Sequence, residues 1–462
     1  MLCLNTLSQR IADFVLSMHL EDVPVEVIRH GKLLLADTFG VALSCQQLPH
    51  AEAIRKTLLT ADSAKQATLW GTGRKVSVAD AVLYNAALIH GNDFDDTHVA
   101  GIVHPSAAVV STAITVGEAI GADGHQMMEA IICGWEVIIR LALAAKGRFH
   151  DRGFHGTGLV APFASACVAA KLMGDTKETL VSALGLCGSQ AAAIQTFLQD
   201  GSWVKKIHPG WGCHSAIYAL NMARNGFIGS IEVFEGKFGM WMTHFGSIDG
   251  LEESFSDLGV KWHTPEVTVK LYPVCHMTHS FIDCMLRAIL ENRFEADEID
   301  CIECRIDSLC YPIVCAPREV KVRPESDYMM RFSLPYVVAV AAITHGMGSA
   351  QIDLKFAHDP SVQDLMDRVT CIDDNSKSNP GHFPAYITIE LKDGRRIIMD
   401  QRYEMGTVQN PLNLDAVSRK LQNNLKTLYS PMQIDTLLDR IDKFESLPNA
   451  NTLIKAFLAK SI

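Results

Sequence analysis

From the N-terminus to about residue 260, apolar positions recur at helical spacing almost throughout. Ile11, Phe14, Val15 and Met18 return at intervals of three and four, the pattern of a helix buried along one face. A second helix is predicted to open near Pro24, a residue tolerated in a first turn, and to run through Val27, Ile28 and Leu34 towards Val41. Asp123 with Gln126, and Asp175 with Glu178, are close to the capping-box pattern that starts a helix. The bodies that follow, Ile131 to Ala145 and Leu180 to Leu186, are rich in Ala, Gly, Leu and Ile. Small residues let helices approach closely, so this half of the chain is expected to form a dense all-helical domain.

Near Val267 the pattern changes. Glu266 to Tyr272 alternates like a strand, and Pro273 is expected to begin an apolar helix through Met277, Phe281, Ile282 and Leu286. Strand-like segments follow at Cys301 to Ile306, Val369 to Ile372, Tyr386 to Leu391 and Arg396 to Met399, with a helix near Pro335 to Ala342 between them. Helical spacing returns from about Leu412 to Ala459. The expected fold class is therefore mainly α. A large helical domain (residues 1–265) is followed by a smaller α+β lid domain (266–402), inserted before C-terminal helices (403–462) that rejoin the first domain. Domain interfaces commonly hold ligands.

One polar island interrupts the apolar helices. His90-Gly91-Asn92-Asp93-Phe94-Asp95-Asp96-Thr97-His98, with His104-Pro105 just beyond, lies between apolar flanks. If helical up to about Thr97, it sets Asp93, Asp96 and Thr97 on one face. Buried carboxylates need partners or must become neutral, so a functional site is one reading. A cluster of capping residues fits the spacing equally well.

Other segments carry reactive groups. Lys146 to Gly158 holds basic residues ahead of a glycine-flanked His155, just before a predicted helix start that would favour an anion. Lys205 and Lys206 lie between Trp203 and Trp211; neighbouring side chains diverge, and such a pair is usually a solvated face. Lys270 sits at the junction of the two domains. Cys275, His276 and His279 have no acid at a suitable spacing to complete a metal group.

Composition narrows the function. The chain has 462 residues, 48% of them hydrophobic, enough for two ordinary globular domains. Its formal net charge of −11 argues against general nucleic-acid or anionic-membrane binding but leaves room for a small anionic substrate. The 13 cysteines and an N-terminus without a secretory pattern fit a reduced, cytoplasmic protein. Cys301 and Cys304 fall on a predicted strand, where residues three apart face opposite sides and are poorly placed to share a metal. Pro, His and charged residues interrupt every apolar run that would otherwise be read as a membrane span.

Taken together, Asp93-Phe94-Asp95-Asp96-Thr97 with His104-Pro105, Gly153-Phe154-His155, Lys205-x-x-His208-Pro209-Gly210, Lys270-Leu271-Tyr272-Pro273 with Thr278-His279, and Phe332-Ser333-Leu334-Pro335-Tyr336 resemble the MmgE/PrpD family. That family includes 2-methylcitrate dehydratase, cis-aconitate decarboxylase and iminodisuccinate epimerase, and the resemblance spans nearly the whole chain. It implies a helical domain with a smaller lid, a homodimer, and an active site between the domains without metal or organic cofactor. By the same resemblance, Asp93, His155, Lys205 and Lys270 are expected to be catalytic, and Thr97, His104 and Tyr311 to bind substrate. Two departures stand out: the segment between Thr97 and His104 is slightly longer than in the decarboxylase pattern, and Asp95 replaces the Asn usual in the dehydratase pattern.

The shared chemistry is proton transfer beside a carboxylate of a small dicarboxylate or tricarboxylate. Lysines would hold the carboxylates while Asp93 and His155 move protons. By analogy with the family's broad role, loss of water is the leading expectation, ahead of decarboxylation and epimerisation. Rivals of a different class are a non-catalytic helical binding protein and an aconitase-like iron-sulfur hydratase.

Overall fold

The structure, a computed structural model, describes residues 5–60 and 63–457. Its elements are mainly α-helical. Two compact units divide the chain: residues 1–194, 204–269 and 413–462 form the first, and 195–203 with 270–412 form the second. The first unit thus runs to 269 and resumes at 413, where the sequence pattern suggests 265 and 403. The segment 195–203 belongs to the second unit because Phe197 meets Tyr328 and Phe332 edge-on, with ring centroids 5.9 and 6.0 Å apart.

The first unit is built on the helices Val78–His90, Pro105–Ile120, Gly124–Ala145, Gly156–Met173 and Val204–Arg224, which pack against one another. Their starts follow from local chemistry. Ser77 caps the first of them by accepting from the Asp80 amide, Pro105 occupies a first-turn position, and Asp123 with Gln126 closes a full capping box. At the helix Lys177–Cys187 the cap is Thr176, one residue beyond the expected Asp175. A short hairpin, Ala67–Leu69 with Arg74–Val76, interrupts the otherwise helical run.

Gly156–Met173 corrects the expectation that no segment is long and apolar enough to span a bilayer. It meets that test by length and composition, with a mean hydropathy of 1.4, but 89% of it is buried inside the protein. A helix that is apolar all round is what the middle of a helical core requires. Close approach is set by glycines. At Gly210 a Cβ would fall 2.5 Å from the Leu83 carbonyl oxygen, and at Gly158 it would fall 2.5 Å from the Ala193 Cβ and 3.0 Å from the His208 Cβ.

In the second unit, a four-stranded mixed sheet runs in the order Val369–Asp373, Ile299–Ile306, Ala385–Leu391, Arg396–Gln401. The first pair is parallel and the others antiparallel. The helices His279–Asn292 and Leu334–Thr344 pack on it. Two expectations fail here. The strand foreseen over Glu266 to Tyr272 is only Val267–Thr268, because its partner strand, Thr97–His98, is itself two residues long. The helix foreseen from Pro273 begins at His279, after a single 3₁₀ turn at His276–Thr278. The C-terminal helices are Leu414–Leu425, Pro431–Asp442 and Ala450–Phe457; the expected end at Ala459 lies outside the described residues.

Candidate active site

The polar island is a folded loop and not the end of a helix. Val78–His90 stops at Gly91, and Asp93 adopts a left-handed backbone with φ 49°, a conformation Asp tolerates better than most residues. The chain then enters Thr97–His98, which pairs antiparallel with Val267–Thr268. It doubles back through the His98 and Val103 backbone bonds to His104, the residue before the helix Pro105–Ile120. Asp93, Asp96 and Thr97 therefore do not share a helical face; the loop aims each one separately.

From the far end of the first unit, Lys420 fixes this loop. Its ammonium pairs with Asp37 at 2.5 Å, donates to the Phe94 carbonyl at 2.9 Å and sits 3.7 Å over the Phe94 ring.

Each of the three acids in the loop is handled differently. Asp93 Oδ1 accepts from Lys205 Nζ at 2.5 Å, and both residues are buried. Of the two neighbouring lysines, Lys205 makes this pair, while Lys206 is buried as well. Asp95 Oδ2 lies 2.7 Å from His90 Nδ1, with both side chains fully buried. Asp96 accepts from the Ser106 amide at 3.2 Å and bonds the Ser106 hydroxyl, which also accepts from Trp135 Nε1 at 3.0 Å. Burial pushes the Asp96 carboxyl up to about 8, against the pull of Ser106. It is therefore largely a neutral acid at pH 7.

Four imidazoles gather beside these acids. His155, at the start of Gly156–Met173, has its ring centroid 5.2 Å from His90 in a stacked arrangement and 6.2 Å from His104. Its Nδ1 meets His208 Nδ1 at 3.2 Å, so one of the two carries the shared proton. The close approach of the two helices at Gly158 makes this contact possible. Burial, reinforced by Lys205 and the neighbouring histidines, holds His155 well below the usual imidazole range. Burial, His90 and Lys205 bring His208 down to about 3. His104 Nδ1 donates to the Asp96 carbonyl at 2.8 Å, since a carbonyl only accepts, and Thr97 Oγ1 lies 3.2 Å from the same nitrogen.

Five of the seven residues expected from the sequence, Asp93, Thr97, His104, His155 and Lys205, therefore lie in one connected cluster of the first unit. The other two belong to the second unit. Lys270 is buried and follows the Val267–Thr268 strand by two residues. Tyr311 opens the short helix Tyr311–Val314. In the same unit, buried Lys321 donates to the carbonyls of Ile313 and Phe332 at 2.7 and 2.8 Å, tying the turn after Tyr311 to the Phe332-Ser333-Leu334-Pro335 segment.

Sequence reasoning left His90, Asp95, Asp96 and His208 out of the site. All four stood in the quoted motifs; what was lacking was the geometry that turns them inward. A second histidine group, His98, His263 and Glu266, offers ligand atoms within 4.8 Å of one another. The Gly101 amide donates to His98 Nδ1 at 3.1 Å, which leaves the proton on Nε2, where it bonds Glu266 at 3.1 Å. A protonated nitrogen cannot ligate, so the group reads as a clasp between loop and strand.

Comparison with known proteins agrees with this architecture. Residues 9–249 match the MmgE/PrpD N-terminal domain and residues 272–442 the MmgE/PrpD C-terminal domain. The chain belongs to the MmgE/PrpD family. A cis-aconitate decarboxylase-like protein of Aspergillus oryzae is 24% identical over 85% of each chain. Cis-aconitate decarboxylase of Aspergillus terreus is 22% identical over 97% of this chain and 95% of its own. 2-Methylcitrate dehydratase of Cupriavidus necator is 23% identical over 87% of each. The named relatives of this MmgE/PrpD protein are thus lyases that act on small carboxylic acids.

Proposed function

We propose that this MmgE/PrpD protein is a lyase that acts without a metal or organic cofactor, by proton transfer beside a carboxylate of a small dicarboxylate or tricarboxylate. The observation that carries the reading is the buried Lys205–Asp93 pair set among four imidazoles. Removing a proton next to a carboxylate builds a second negative charge on that carboxylate. A cation about 4 Å away attracts a unit charge by roughly 4 kcal/mol at an effective dielectric of about 20, before desolvation is subtracted. Lys205 takes one substrate carboxylate, and Lys270 and Tyr311 are assigned to substrate on family resemblance. Asp93 and His155 are the proton movers; His155, neutral at pH 7, is competent to accept a proton. Thr97 and His104 orient the substrate.

Dehydration of a 2-methylcitrate-like acid is the leading reaction. Decarboxylation of a cis-aconitate-like acid is the second reading, favoured by Asp95, an acid where the dehydratase pattern usually has Asn. Incubation with 2-methylcitrate, cis-aconitate and iminodisuccinate, each followed by NMR in heavy water, separates loss of water, loss of carbon dioxide and plain deuterium uptake. Turnover of none of them would remove the lyase reading.

We also propose a cytoplasmic homodimer. The 13 cysteines, an odd number spread along the chain, are in keeping with a reducing compartment. Val204, Trp211 and Tyr218 recur every seven residues along Val204–Arg224 and stay 40%, 55% and 52% exposed, a stripe suited to a second copy. Light scattering of the wild type and of Trp211→Glu tests this; a wild-type monomer would refute it.

A further inference from the structure

Within the lyase reading, on which this inference rests, one group has no assigned task. His90 ends the helix Val78–His90, is fully buried, and has His155 stacked 5.2 Å away at 26° with His104 5.0 Å away at 56°. Its Nδ1 is committed to Asp95 at 2.7 Å. An ionised carboxylate only accepts, so Nδ1 carries the proton and the lone pair is left on Nε2. That nitrogen is buried and, among the described residues, has no hydrogen-bond partner. Natural structures rarely leave a buried acceptor unmatched unless a ligand or water fills the place.

We propose that His90 is a catalytic base of this enzyme and that Asp95 is its positioning residue. His90 would act beside Asp93, one of whose oxygens accepts from the Lys205 ammonium at 2.5 Å. The Asp95–His90 pair has the division of labour seen wherever a carboxylate holds an imidazole in one tautomer and stabilises the imidazolium that forms. In the step proposed, Nε2 takes the proton from the carbon next to a substrate carboxylate. The C–H electron pair moves into that carboxylate to give an enediolate, which Lys205 stabilises. The pair then returns to form the carbon–carbon double bond as the hydroxyl leaves as water, taking up the proton held by the His90 imidazolium. His90 is thereby returned to its neutral form, and no other reactant is consumed.

The test uses the full-length protein labelled with ¹⁵N-histidine, and the variants His90→Gln and Asp95→Asn. In the wild type the His90 signal should show a protonated Nδ1 and a bare Nε2. Tricarballylate, an unreactive tricarboxylate, should shift the Nε2 resonance. In D95N the single-tautomer signal should be lost. With whichever substrate the wild type turns over, H90Q should lower kcat by about 10²- to 10⁴-fold with KM little changed, and D95N should lower it less. An Nε2 that is protonated in the free enzyme, or that ignores tricarballylate, would overturn the assignment, as would H90Q changing KM alone. If H90Q does not fold, the D95N and wild-type spectra still decide. Absence of wild-type turnover counts against the lyase reading, whereas the tautomer and tricarballylate results judge the His90 assignment separately.

Discussion

Replacing Lys205 by Met is the perturbation whose size follows most directly from the geometry. The Lys205 and Asp93 side chains are 5% and 1% exposed and their charged atoms lie 2.5 Å apart. At an effective dielectric of about 20, that separation corresponds to roughly 7 kcal/mol of gross attraction, most of it offset by the cost of taking both ions out of water. The loss on removing one partner is set by the ion left behind: about 3–5 kcal/mol when a charge remains buried alone. In urea unfolding at pH 7, with a slope of about 2–3 kcal/mol/M, K205M should lower the midpoint by roughly 1–2 M. Asp93→Asn in the same protein removes the stranded charge, so the double variant should recover much of that loss while remaining inactive. Two results would refute the reasoning. One is a K205M loss below about 1 kcal/mol. The other is a double-mutant cycle additive within about 0.5 kcal/mol, since contacting residues should couple more strongly than that.

Asp96 gives a pH signature. Its folded value of about 8 lies above the ordinary 3.8, so the folded state holds a proton that the unfolded chain has lost. The stability this contributes is complete below about pH 4 and disappears as the pH rises towards 8, a difference on the order of 4–6 kcal/mol. Asp96→Asn should flatten that part of the stability curve, and an unchanged slope would contradict a protonated Asp96. His208→Ala removes the Nδ1 partner of His155; the loss of one hydrogen bond predicts roughly a 5- to 10-fold fall in kcat with KM nearly constant. A change confined to KM would place His208 on the substrate instead. Lys270→Ala should reduce kcat/KM at least about 100-fold, and near-normal turnover would remove Lys270 from the proposal.

What the sequence reveals and what it conceals are separated by distance along the chain. Local order is enough to foresee a helical unit interrupted by an α+β one, whereas Asp93, His155 and Lys205 are singled out only by the family resemblance that their motifs carry. The Lys205–Asp93 contact spans 112 positions and depends on Gly210 letting one helix settle against Leu83, which no local pattern announces. The apolar pattern before the island is strongly helical, which leaves a helix continuing to about Thr97 open on sequence alone. One left-handed residue, Asp93, reverses that reading and sends Asp95 back to His90. Alternation over Glu266 to Tyr272 was genuine, yet a strand extends only as far as its partner, and Thr97–His98 offers two residues. Lys420 illustrates the same limit: it lies in an amphipathic C-terminal helix and reaches Asp37 and Phe94 only through the packed fold.

The acidity of the island raises a physical difficulty that its geometry resolves. Three carboxyls in four residues, in a protein of formal charge −11, are a poor receptor for a polyanion if all of them carry charge. None is left as an isolated anion. Asp93 is matched by Lys205, Asp95 is bonded by His90, and Asp96 is kept neutral by burial beside Ser106. Beneath them Asp37, a fourth acid, is matched by Lys420. Under the proposed function a polycarboxylate would therefore meet donors, imidazoles and a lysine whose counter-ion it could replace, and not a field of like charge. The same arrangement explains why so many acids are retained. An ammonium with no carboxylate beside it would be costly to keep buried before substrate arrives, and an imidazole with no carboxylate behind it would lose its fixed tautomer. On the proposed reading the acids would hold cation and base in place, and a substrate carboxylate would displace only the one pairing, Lys205 with Asp93, that it can itself reproduce.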